Sequence, residues 1–432
     1  MTFVRICLLL SGINSRIHRF FGRCLFFSAP FWICASLQAE VRSFTVDSDV
    51  EFAVSHNLEL QAARQRIAIA ESNLKWSGRL ADPEIEIGGS IDQFGLNDDE
   101  SVWEVAIAQE FPLTHRLARE RDLSAADLAL AQAEVRMKEW EFAAIVRRDA
   151  IDALAIKTKA DLQEQLRAGA EEVASAIKQA FQAAEASQLD VTDSELELRS
   201  QIDESRRLRA QEIEANGKLR SHMSLPPDAT VNMAGRLGIS SRFVPITITD
   251  EVLSRRPDLQ LHMLKEGRAE AAIALAKSQR WQDVAVKLFM EREAGVDEPD
   301  GLERNTFLGI GLSFQLPLRT PVDRLTAEPR GELAMAKATT AALAAQIRNE
   351  IATANQIAAE RHRIWQQASG ETLQLARRHV SEVNEAWQIG KVDFFRLRQA
   401  QERALNLEKI AVESLRDFHQ ARAELQFAAA LP

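Results

Sequence analysis

Asp190 and Asp193 are two acids at helical spacing. Three positions apart on a helix, they put two carboxylates within one turn and on nearby faces. Such a pair either attracts cations or simply caps and solvates its helix, and both readings stay open at this point. Little else in the chain offers chemistry. No Gly-rich phosphate loop, no Gly-x-Ser-x-Gly elbow and no His-Glu-x-x-His helix occurs. Beyond residue 39 there are seven of the chain's 8 histidines, well spread, and no cysteine to join them as metal ligands. Met223, Met263, Met290 and Met335 are scattered and read as core residues. Neither a catalytic residue, a metal site nor a cofactor is expected.

The chain has 432 residues, 46 % of them hydrophobic and 27 % charged, so it is neither disordered nor a bundle of membrane helices. Residues 1–39 read as an export signal. Arg5, Arg16, Arg19 and Arg23 precede any acid, an apolar stretch too short to span a bilayer runs from Cys24 to Leu37, and Ala39 is a small residue suited to cleavage. All 3 cysteines, Cys7, Cys24 and Cys34, lie in this segment, and Phe31-Trp32-Ile33-Cys34 is a poor lipidation box. Removing it takes away four arginines and no acid, which moves the net charge from −10 to −14. A cysteine-free, acidic chain suits an oxidising periplasm and argues against nucleic acid as a partner.

Two copies of one plan follow: a first repeat over 40–225, a linker over 226–250 and a second repeat over 251–432. Asn57-Leu58, Leu74 and Arg79 match Asp258-Leu259, Leu275 and Arg280 at an offset of 201, and Phe111-Pro112-Leu113 matches Leu316-Pro317-Leu318 at 205. Each copy opens with a short helix, over 50–80 and 251–281. A pair of strands with a period of two comes next. Ile85, Ile87 and Ile91 alternate with Glu86, Gly88 and Ser90, and Trp103, Val105 and Ile107 alternate with Glu104, Ala106 and Ala108. In the second copy Val284, Val286, Leu288 and Met290 alternate with Ala285, Lys287 and Phe289, and Leu308, Ile310 and Leu312 with Gly309, Gly311 and Ser313. At about ten residues each, these strands have the length of tilted membrane-barrel strands. Their hairpin tips, Asn97 to Glu100 and Val296 to Glu303, are acidic and turn-rich. The chain has no Tyr, so Trp103, Phe94, Phe289 and Phe307 are left to form the aromatic girdles of such a barrel.

Four strands cannot close a barrel, and an open edge in lipid leaves backbone groups unpaired at several kcal/mol each. Three chains would supply twelve strands and remove every edge, so membrane insertion requires oligomerisation. Long helices over about 114–186 and 331–388 turn back into return helices over 188–224 and 394–429. Paired end to end with the short helices, they make four rods per chain and twelve per trimer. The predicted fold is thus mainly α with a transmembrane β-barrel portion, a trimer pooling twelve strands and twelve helical rods.

This duplicated order resembles the TolC family of outer-membrane factors over residues 47 to 430. Arg256-Pro257-Asp258-Leu259, the Gly309 to Leu318 segment and the Gly390 tip carry the resemblance, and the Asp82-Pro83-Glu84-Ile85 lead-in is similar to the CzcC-like metal-cation branch. The resemblance implies an outer-membrane channel of a tripartite efflux system, a passive duct for heavy-metal cations rather than an enzyme. A drug or type I secretion duct of the same family, and a periplasmic adaptor, are the competing readings. The implied partners are two sister copies, a periplasmic adaptor, an inner-membrane pump and outer-membrane lipid.

The family narrows its tunnel with acids just after a tip, where this chain has Asp190 and Asp193; three copies would bring six carboxylates together and raise some of their pKa values. The second copy has Arg396 and Gln399 in those places, which suggests an Asp–Arg lock between repeats or an Arg396 that only faces a neighbouring helix. Adaptor contact falls by the same resemblance on Ala184, Glu185, Ala186, Ser187 and Gln188 and on Ile389, Gly390, Lys391 and Val392. Ala184 stands where the other tip has Gly390, so a left-handed turn is less expected there.

Overall fold

In a computed structural model of the chain, residues 42–91, 101–238, 242–297, 301–319 and 321–431 are described. Residues 1–39, read above as an export signal, Phe94 and the tip from Asn97 to Glu100 lie outside them, as does part of the tip between Val296 and Glu303.

The first repeat runs β1 (Arg42–Phe44), α1 (Val46–His56), α2 (Leu58–Trp76), β2 (Glu84–Ile91), β3 (Ser101–Phe111), α3 (Arg116–Gln182) and α4 (Gln188–His222). After β4 (Val231–Met233) come α5 (Asp250–Arg255), α6 (Pro257–Ser278), β5 (Val284–Asp297), β6 (Gly301–Ser313), α7 (Val322–Gln367), a π-helical turn over Ala368–Thr372, α8 (Leu373–Gln388) and α9 (Phe394–Ala428). α3 has 67 residues, roughly 100 Å at 1.5 Å per residue. Ala215 and Leu219 of α4 are buried, and so are Ala421 and Leu425 of α9 at an offset of 206.

Each expected short helix is two helices. In the second repeat Pro257 sterically excludes the α conformation at Arg256, whose ψ is 119°, and Pro257 itself starts the next helix. In the first, Asn57 does the same without a proline, its side-chain oxygen accepting from the Leu60 N–H at 3.0 Å. The second long helix begins at Val322 rather than 331, because Pro329 and Gly331 are carried inside it. Within the linker, β4 pairs in parallel with β1, Arg42 to Val231 through Phe44 to Met233, over a core of Ala53, Val146, Leu154 and Leu219.

β2, β3, β5 and β6 form one antiparallel sheet in that order. Its register aligns Ile85, Ile107, Leu288 and Ile310 in one row and Ile87, Val105, Met290 and Leu308 in the next. These rows face outward: Ile85, Ile87, Leu308, Ile310 and Leu312 are between 67 and 83 % exposed. On the opposite face Ala106 is buried, and Lys287 Nζ bridges Glu86 and Glu104, each at 2.6 Å. The polar face is the sheltered one, the reverse of a soluble sheet packed on a core. Phe289 and Phe307 belong to this inner set, opposite Gly309 and Glu291, so they cannot supply an outer aromatic girdle; Trp103 can. A Cβ on Gly309 would strike the Phe289 ring, which is why the inner face has glycine there. The same exposure overturns the core reading of Met290, and Met263 and Met335 are also exposed; Met223 alone of the four is buried.

Candidate functional site: the paired helical tips

The two hairpins end alike. At the first, Ala183 caps α3 and Ala184 takes φ 60°, with the Glu185 N–H reaching back to the Ala180 carbonyl at 2.8 Å. At the second, Ile389 caps α8, Gly390 has φ 70° and the Lys391 N–H reaches the Ala386 carbonyl at 2.9 Å. Both are Schellman turns. The left-handed turn is therefore present at Ala184 as well, where the returning hydrogen bonds hold a conformation that disfavours a Cβ by about 1–2 kcal/mol.

Ser187 and Asp393 then cap the return helices. The Asp393 carboxylate accepts from the Arg396 N–H at 2.8 Å. Ser187 and Asp190 close a capping box: the Asp190 carboxylate accepts the Ser187 N–H at 2.8 Å and its hydroxyl at 2.7 Å. These hydrogen bonds hold the Asp190 carboxyl below the usual aspartate range. Asp193, one turn on, is exposed, as is Arg396. Among the described residues no ion pair joins Arg396 to Asp190 or Asp193 within the chain.

Around these caps the tips expose apolar side chains. Leu189 is 69 % and Ile389 66 % exposed, with Phe181, Trp387 and Phe395 also open. Ala184, Glu185, Ser187, Gln188, Gly390 and Lys391 are exposed, and Ala186 and Val392 are half-buried. Val392 leans on a small core of Val383, Leu397 and Ala400.

Behind the tips a groove of about 870 Å³ separates the α3–α4 hairpin from α8 and α9. Arg396 and Gln399 line it, with Arg377 and Glu402. Desolvation, and then the Glu197 carboxylate, push the Glu402 carboxyl upward. Two contacts here escaped sequence reasoning. The Arg398 side chain lies against Gly169, so the one glycine of α3 is a crossing point between repeats and not a break. Arg377 ties α8 to α9 through Glu408 at 2.9 Å. A lone glycine inside a long helix was the only signal for the first. Among the described residues no cluster of His, Cys, Asp or Glu could hold a metal ion, and no helix is long and apolar enough to cross a membrane.

The fold defined by these elements is that of the outer-membrane efflux channels. The outer-membrane channel OprN aligns with a TM-score of 0.67 and 18 % identity over 90 % of both chains. The Campylobacter jejuni CmeC outer-membrane channel gives 0.68 and 12 % over 91 % of this chain and 90 % of its own. CusC, solved in work on folding and transmembrane channel formation, gives 0.68 and 11 % over 91 % and 93 %. No protein-family model matches the sequence, and comparison with curated proteins finds no match.

Proposed function

We propose that the protein is the outer-membrane duct of a tripartite efflux system, carrying solute passively and catalysing no reaction. One observation carries the reading: the sheet bears its isoleucine and leucine rows on the open face and its charges on the sheltered one. That arrangement is stable only if lipid covers the outside and water fills the inside. The free edges of β2 and β6 then have to meet those of sister chains, so the working unit is a trimer with a shared barrel and helical tunnel. Residues 1–39 serve as the export signal. The tips dock the periplasmic adaptor through Ala184 to Gln188 and Ile389 to Val392; the exposed Leu189 and Ile389 support this, because apolar side chains at a hairpin end favour a partner.

Asp190 and Asp193 narrow the tunnel and favour cations. Asp190 is tied to Ser187, which leaves Asp193 the freer charge, while Arg396 lines the groove between hairpins. Heavy-metal cations are the proposed cargo, on the CzcC-like lead-in to β2 and the carboxylates of the inner face. A drug duct is the competing reading. In planar bilayers, Asp190→Ala with Asp193→Ala should lower the preference for cations. An unchanged reversal potential would return both residues to a capping and surface role. Loss of dye tolerance with metal tolerance intact, on deleting the gene, would remove the metal cargo.

A further inference from the structure

Where the helices meet the sheet, the chain gathers cations that have no anion of its own to meet. At the end of α2, Trp76 is 58 % exposed, with the Arg79 guanidinium 4.2 Å and Lys75 Nζ 5.4 Å from its ring centre. The end of α6 repeats the composition: Lys277, Arg280 and the exposed Trp281, with Arg280 at the position equivalent to Arg79. Past the exit of β6, the open side chains of Leu316 and Leu318 lead to Arg319 and Arg324. All of these basic residues are exposed, and among the described residues none forms an ion pair. Their basic neighbours do: Arg116 pairs with Glu120 and Asp283, Arg119 with Asp122, and Arg330 with Asp323. Of the acids at this level without an ion pair among the described residues, Asp82 is exposed in the lead-in to β2, while Glu84 and Glu110 share the polar inner face with Glu86 and Glu104.

We infer that this junction is a collar for the phosphate groups of anionic phospholipid in the leaflet nearest the helices, an inference that rests on the outer-membrane reading above. The apolar rows of the sheet end here, so this is the level at which acyl chains give way to headgroups. An exposed indole beside a cation suits that level, since the ring sits among ester groups while the cation reaches a phosphate. Unpaired Arg and Lys next to an apolar band attract anionic lipid specifically over zwitterionic lipid. The occurrence of the same composition in both repeats makes it a ring rather than a local patch.

The test uses the full chain reconstituted in nanodiscs, with retained lipids counted by native mass spectrometry and conductance recorded alongside. Arg79→Gln, Arg280→Gln, Arg319→Gln and Arg324→Gln combined should retain roughly threefold less phosphatidylglycerol, with conductance unchanged, while lysine at the same four positions keeps the wild-type count. Equal retention in the glutamine variant, or wild-type protein that holds phosphatidylcholine as well as phosphatidylglycerol, overturns the collar and leaves the duct standing. A wild-type chain that neither inserts nor conducts ends the duct reading, and the collar with it. Should the fourfold variant misfold, the Trp76→Phe, Trp281→Phe protein decides: it should lose the fluorescence quenching by lipid brominated near the headgroup. Unchanged quenching rejects the collar.

Discussion

Asp49 shows how one side chain sets a pH dependence. It lies in α1 with no exposed surface, near a core of Phe44, Ala53, Val146 and Leu219, and neither carboxyl oxygen has a hydrogen-bond partner. Desolvation raises its pKa from 3.8 to about 7. The folded chain therefore binds a proton more tightly than the unfolded one, so this residue makes stability fall as pH rises from about 4 to about 7 and adds no further slope above that. Asp49→Asn keeps the shape and removes the charge. It should raise the unfolding temperature, with most of the gain at pH 8 and little at pH 4, the penalty relieved being at most about 4 kcal/mol. A thermal melt series across pH checks it, and an equal effect at both ends would show that Asp49 is not the titrating group. An acid four residues beyond the cap Thr45 reads in sequence as helix-dipole chemistry, so nothing local announced its burial.

Among elements, legibility followed the range of the forces involved. The order of helices and strands could be read because periods of two and of three to four are local, and because the repeat showed each pattern twice. What could not be read depends on contacts distant in sequence: the three-residue pairing of β1 with β4, the tolerance of Pro329 inside α7, and the π-helical turn at Ala368–Thr372, where Gly370 has ψ −111°. At the tips a capping role could be read for Asp190, but not the caps Ser187 and Asp393 or the φ of Ala184, which its hydrogen bonds impose. The adaptor and gate roles proposed for these residues rest on resemblance alone. Arg256 links four helices. Its guanidinium pairs with Asp258 at 2.6 Å and Glu350 at 3.2 Å, donates to the Ala428 carbonyl at 2.9 Å and stacks over Trp140 and Phe427. It thus joins the start of α6 to the end of α9, α7 and α3. Arg256→Met leaves Asp258 buried without its cation, and should destabilise by about 3 kcal/mol. Chemical denaturation measures this. A loss under half a kcal/mol would show that the aromatic stack holds the junction unaided.

For the whole molecule the question is what completes the sheet. β5 and β6 pair along thirteen residues, from Ala285–Ser313 to Asp297–Gly301, yet among the described residues the far side of β6 and of β2 has no partner. In water such edges bond to solvent; in hydrocarbon each unpaired group costs several kcal/mol, and two edges of this length exceed the stability of any single domain. Folding the sheet back on itself would not help, since four strands are too few to leave room for the inner Phe289 and the Lys287 triad. Joining copies edge to edge satisfies every strand and leaves the inner charges facing water. Light scattering of the detergent-solubilised protein should therefore give three protomers per particle, and a proline placed in β6 at Leu308 should shift it toward monomers by disrupting the edge strand. A particle of one protomer, stable without detergent, would mean that the exposed isoleucine rows meet something other than lipid.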